Sequence, residues 1–104
     1  VLATPIYFMT VSAQLKTFMD RFIAGEQFMR QSSGKKAYFI SVSAAPEARA
    51  KENHEAANGA FRGFLKCLRS VEEGGILNAS GCYAPGSIEG TEWLDKAYEM
   101  GKTV

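Results

Sequence analysis

An α/β fold, with a parallel sheet covered by helices on both faces, is what this sequence predicts, and three observations predict it. Apolar stretches with β-branched and aromatic residues recur at 1–6 and 36–42, and a less apolar one follows at 75–83. Each is followed by a segment whose apolar residues return with helical spacing. The resulting order, β-α-β-α-β-α, implies right-handed crossovers between parallel strands in a three-layer arrangement.

The elements follow in order. Val1 to Ile6 reads as a buried strand ended by the Thr4-Pro5 step, and Tyr7 to Val11 as the loop that leaves it. Ser12 is a natural N-cap for a helix whose Leu15, Phe18, Met19, Phe22 and Ile23 share one face, and Gly25 is its stop. Glu26 to Gly34 is polar and reads as a surface loop, a natural place for a mobile lid. Lys36 to Val42, with Tyr38, Phe39, Ile40 and Val42, suits a strand covered on both faces, and Ser43 to Glu47 is the turn beyond it. From about Glu52 to Val71, the residues Ala57, Phe61, Phe64, Leu65 and Leu68 line a second helix. Gly59 and Gly63 weaken that helix and suggest close packing on the sheet. Glu72 to Gly75 reads as a turn, Gly75 to Tyr83 as the third strand, and Ala84 to Gly90 as a loop built on Pro85-Gly86. Trp93, Leu94, Ala97, Tyr98 and Gly101 share a face of the closing helix, with Trp93 as its core anchor.

Composition removes several classes of function. A length of 104 residues suits one small domain, and 46% hydrophobic residues are enough to build a core. With a formal net charge of +1 and scattered Lys and Arg, no electrostatic footprint for nucleic acid is present. Apolar runs fall far short of the roughly 20 residues of a membrane-spanning helix, and no signal peptide opens the chain, so a soluble, cytoplasmic protein without a membrane partner is expected. Cys67 and Cys82 lie on different elements without a C-x-x-C pattern or nearby His, which reads as reduced, buried thiols and no metal site.

One segment is specific. Thr4-Pro5-Ile6-Tyr7, a short loop, and then Ser12-Ala13-Gln14-Leu15-Lys16-Thr17-Phe18-Met19-Asp20-Arg21 resembles the flavodoxin-like NAD(P)H-dependent FMN oxidoreductases, particularly the iron-sulfur flavoprotein and quinone reductase relatives. The likeness continues more loosely through Asn78-Ala79-Ser80-Gly81, the Pro85-Gly86 loop and Ala97 to Lys102.

What the resemblance implies is a five-stranded, doubly wound flavodoxin-like domain with FMN at the carboxyl ends of its strands. Residues 1–104 would hold only its last three strands, an amino-terminally truncated portion without the first two strands and the phosphate-binding loop. A Cys cluster for an iron-sulfur centre would lie outside them. Tyr7 and Phe8 would border the isoalloxazine, with the N–H groups of Phe8, Met9, Thr10 and Val11 aimed at its polar edge. Thr4, Pro5, Ile6 and Ser12 would set the course of that loop, and Ser43, Ala44 and Ala45 would let a second turn approach the flavin, although many relatives carry Gly there.

Hydride transfer from NAD(P)H needs stacked rings and correct positioning, so no catalytic side chain is demanded and none is assigned. The acceptor would be a quinone, a flavin or a similar small molecule. A flavodoxin-type one-electron carrier is the alternative, and the charge of +1 argues against it because such carriers are strongly acidic. A response-regulator-like domain needs an Asp at a strand end, and no strand here ends in one. An incomplete fragment without activity is compatible with the enzyme reading of a longer protein. An open first strand would pair with a second copy or with further chain, so a homo-oligomer is expected. His54, the single histidine, could donate a proton near a flavin rim, but at a helix start the expectation is plain exposure. Lys16 and Asp20 suit an i,i+4 pair on a solvated face.

Overall fold

The computed structural model describes residues 1–25, 27, 31 and 34–104. The expected loop and lid at Glu26 to Gly34 lies largely outside the described residues. Three parallel strands, β1 (Leu2–Pro5), β2 (Lys35–Val42) and β3 (Val71–Ala79), form a sheet in the order β1-β2-β3. Among the described residues the long α-helices are α1 (Ala13–Arg21), α2 (Ala50–Leu68) and α3 (Glu92–Gly101), so the α/β alternation read from the sequence is the fold.

One face of the sheet carries the main core. Val11, Leu15 and Met19 from the α1 side and Ala57, Phe61 and Leu65 from α2 close on Phe39 of β2. The rings of Phe39 and Phe61 are stacked with centroids 4.9 Å apart. Burying the large apolar side chains of this cluster is worth about 1.5–3 kcal/mol each. The expected faces hold at Leu15, Met19, Ala57, Phe61, Leu65 and Leu68, all buried. At the far end of α1 the face opens: Phe18 and Ile23 are exposed, and Phe18, Phe22 and Phe64 form a chain of edge-to-face ring contacts. Gly59 and Gly63 do not press on the sheet, because a Cβ at either would meet nothing within 4 Å.

The second face is organised by Tyr38. Its ring lies over β3, and its hydroxyl donates to the Thr103 carbonyl just beyond α3. Here the expected turn at Glu72 to Gly75 gives way to strand, with β3 starting at Val71. The reversal comes earlier, at Arg69, which caps α2 in the left-handed conformation with φ 61°. The two glycines belong to the strand for lack of room. The register slips between Ala37 and Tyr38, and a Cβ on Gly74 would fall 2.5 Å from Tyr38 Cζ. Glu73 is held in the strand by a two-pronged bond from Arg62 of α2, at 2.8 and 2.9 Å, which keeps its carboxyl below the usual carboxylate range.

In α3 the packed face also differs from expectation. Trp93, Ala97 and Met100 are half-buried at helical spacing, whereas Leu94 and Tyr98 are exposed. Trp93 is therefore tethered by its indole N–H, which donates to the Ser80 carbonyl at 3.2 Å, more than buried as an anchor. The thiols of Cys67 and Cys82 are free, as expected, but neither is buried. No helix among the described residues is long and apolar enough to cross a membrane.

Candidate functional site

All three strands run the same way, so their carboxyl ends share one edge, and two turns leave it side by side. The first begins at β1. Pro5 lacks an N–H and sits on the edge strand, where no ladder bond is lost, while the Ile6 N–H carries the pairing one step further to the Val42 carbonyl at 2.8 Å. Thr4 is buried, and its Oγ1 accepts from the Ser12 N–H at 2.9 Å. Ser12 in turn caps α1, its Oγ accepting from the Leu15 N–H. The loop between Thr4 and Ser12 is thus pinned at both ends.

Between the pins the chain reverses within four residues. Tyr7 and Thr10 exchange both backbone bonds at 3.3 Å, and Phe8 and Met9 occupy the left-handed region at φ 49° and 65°. This is the shape glycine and asparagine favour, and two other side chains adopt it here at a cost of about 1–2 kcal/mol each. Strain of this kind persists where the surroundings impose it and concentrates at binding sites. Phe8 is fully exposed, at 101%, and Tyr7 projects beside it at 62%. Among the described residues the N–H groups of Phe8, Met9 and Val11 meet no acceptor, whereas that of Thr10 is taken by Tyr7. A flat aromatic partner with a polar edge fits such a turn: exposed rings can flank it, and unengaged N–H groups can donate to it.

The second turn, Ser43 to Ala45, is braced from β3. The Ser43 N–H donates to the Ala79 carbonyl, the Gly81 N–H to the Ala45 carbonyl, and the Cys82 N–H to the Ser43 carbonyl, all at 2.8–2.9 Å. Gly81 takes φ 76°, a conformation that suits glycine. Ala44 is exposed and Ala45 half-buried, so backbone is accessible there, while the Ser43 side chain points inward and is buried.

Beneath this turn lies the largest departure from the sequence reading. His54 is not exposed: it is completely buried, from α2, against the ends of β2 and β3. Nδ1 stands 2.7 Å from Ser41 Oγ, and Nε2 stands 2.9 Å from Ser43 Oγ and 3.3 Å from Ser80 Oγ. Ser41 Oγ donates onward to Asn78 Oδ1 at 2.7 Å. Burial pushes the imidazole below its ordinary range, so the ring is neutral near pH 7. Ser41, Asn78 and Ser80 were invisible as a set, since the only sequence signal was hydroxyl and amide residues near the ends of two apolar strands.

Of the residues expected at the site, Tyr7, Phe8, Met9, Thr10, Ala44 and Ala45 come together on the accessible edge with Pro5 and Ile6 at its root. Thr4, Val11, Ser12 and Ser43 lie buried beneath it. Lys16 and Asp20 pair at 2.6 Å on the exposed side of α1, away from this edge. Among the described residues, no group of three or more His, Cys, Asp or Glu could hold a metal.

A family model described as NADPH-dependent FMN reductase matches residues 1–66, which span β1, the Tyr7 to Thr10 turn, α1, β2, the Ser43 to Ala45 turn and most of α2. No curated protein and no solved structure matches the chain.

Proposed function

The chain belongs to the NADPH-dependent FMN reductase family, and from that premise we propose that its carboxyl edge holds FMN in an oxidoreductase that passes electrons from NAD(P)H to a quinone, a flavin or a similar small acceptor. The observation that carries the reading is the strained Tyr7 to Thr10 turn, which presents two aromatic rings and unengaged N–H groups at the edge. Tyr7 and Phe8 would flank the isoalloxazine, and the Phe8 and Met9 N–H groups would donate to its polar rim. The backbone of Ala44 and Ala45 would approach from the second turn. FMN, when bound, supplies the acceptance of hydride and its onward transfer as electrons. The protein's part is to orient the ring and leave one face open to the nicotinamide.

The open edge of β1 supports a further part of the proposal: additional strands and a phosphate-binding loop of the same domain, or a second copy, pair there. A cytoplasmic location fits a reductase driven by NAD(P)H.

Titration of the purified protein with FMN, followed by flavin absorbance and fluorescence, tests the reading. Saturable binding, with anaerobic bleaching of the yellow colour by NADPH, is expected. Binding without bleaching would favour a one-electron carrier, and absence of binding by the intact gene product would remove the assignment.

A further inference from the structure

Among the described residues, every side-chain hydrogen bond of His54 is directed at the strand ends that form the candidate flavin edge. The donor directions follow from the groups present. Ser41 Oγ donates to Asn78 Oδ1, so its lone pairs receive the Nδ1–H of His54. Nε2 is then the unprotonated nitrogen and accepts from the hydroxyls of Ser43 and Ser80, the nearer bond being that of Ser43. Ser43 opens the second turn, and Ser80 begins the segment whose Gly81 and Cys82 N–H groups brace that turn. One neutral ring thus joins the exits of β2 and β3 at side-chain level, where backbone bonds already join them.

We infer that His54 is the positioning residue of this edge: its Nδ1–H tautomer locks the Ser43 to Ala45 turn against Ser80 to Cys82 and fixes the backbone that faces the flavin. The inference rests on the flavin reading above. It assigns no proton transfer to His54, which is sealed from any ligand at the edge by complete burial. With its lone pair free, Nε2 receives the Ser43 and Ser80 hydroxyls as an acceptor; a second proton on the ring would make Nε2 a donor, so the hydroxyls would have to rotate and accept instead. The ring is met by Ser41 and Ser43 from β2 and its turn and by Ser80 from the end of β3; among the described residues no carboxylate or cation pairs with it.

Imidazole nitrogen NMR of the wild-type protein is the first test and needs no variant. A neutral ring protonated at Nδ1 at pH 7 is expected; an Nε2–H tautomer or a charged ring overturns the inference. The second test compares His54→Leu with His54→Gln, whose amide oxygen can still accept from the serines. Amide exchange at Gly81 and Cys82 should quicken about tenfold in the Leu variant and recover in the Gln variant, with the β1–β2 amides unchanged. The FMN dissociation constant should follow, rising about tenfold in the Leu variant and returning toward wild type in the Gln variant. Wild-type protein that binds FMN, with exchange and affinity indifferent to both substitutions, overturns the inference and leaves the flavin reading standing. Wild-type protein that binds no FMN removes both.

Discussion

Gly74 lies directly beneath the ring of Tyr38: a methyl group in place of its hydrogen would stand 2.5 to 2.9 Å from three ring carbons. The ring cannot simply lift, because its hydroxyl is bonded to the Thr103 carbonyl beyond α3. Gly74→Ala is therefore expected to cost about 2–3 kcal/mol by overpacking, read from chemical denaturation. In a Tyr38→Ala background, itself less stable, Gly74→Ala should cost less, and simple additivity of the two changes would show that the contact is not the cause.

The left-handed pair at Phe8 and Met9 makes the opposite kind of prediction. Met9→Gly relieves about 1–2 kcal/mol of backbone strain and gives back about 0.5–1 kcal/mol in chain entropy. A net gain of about 0.5–1 kcal/mol in unfolding free energy is expected, together with weaker FMN binding because the turn is less fixed. Lower stability in the glycine variant would mean that the turn is not strained.

Thr4→Val keeps shape and burial but removes the acceptor of the Ser12 N–H. A buried donor left unsatisfied costs about 1–3 kcal/mol, and the start of α1 should fray with it. Faster amide exchange at Ser12 and Leu15, with β3 unaffected, is the expected signature; an unchanged exchange pattern would count against the pin.

Acid should weaken the fold through His54. Its folded-state value lies below the ordinary 6.5 because burial disfavours the charged ring, so between those two values the unfolded chain binds more protons than the folded one. The stability His54 contributes is fully present above pH 6.5, declines as pH falls from there toward the folded value, and changes no further below it. The slope within that window stays below the limit of about 1.4 kcal/mol per pH unit that a full proton would give. Urea denaturation from pH 7.5 downward, compared with His54→Leu, isolates the effect as a slope that the variant lacks.

Much of this architecture could be read along the chain because it depends on local signals. Ser12 before Leu15 and Met19 marks the first helix, and Ala57, Phe61, Leu65 and Leu68 mark the second, each by spacing alone. The loop after the first strand was visible as Tyr7 to Val11 through the Thr4-Pro5 exit and the motif after it. Its left-handed backbone was not, since neither Phe8 nor Met9 advertises it. Glu72 to Gly75 carried local signals of a turn, and the contrary influence came from Tyr38 on another strand. The surroundings of His54 were equally remote, assembled from Ser41, Ser43 and Ser80 across two other elements. Nothing in the sequence next to a single histidine distinguishes a solvated ring from one enclosed by hydroxyls.

Trp93 is the only tryptophan in the sequence, and its indole is bonded to the carbonyl of Ser80, one of the three serines whose hydroxyls meet His54. The molecule therefore carries its own optical gauge of that region. Ultraviolet emission excited at the indole band will register any loosening of the Ser80 segment without an attached dye, so small changes at the strand exits can be followed in dilute solution and in real time.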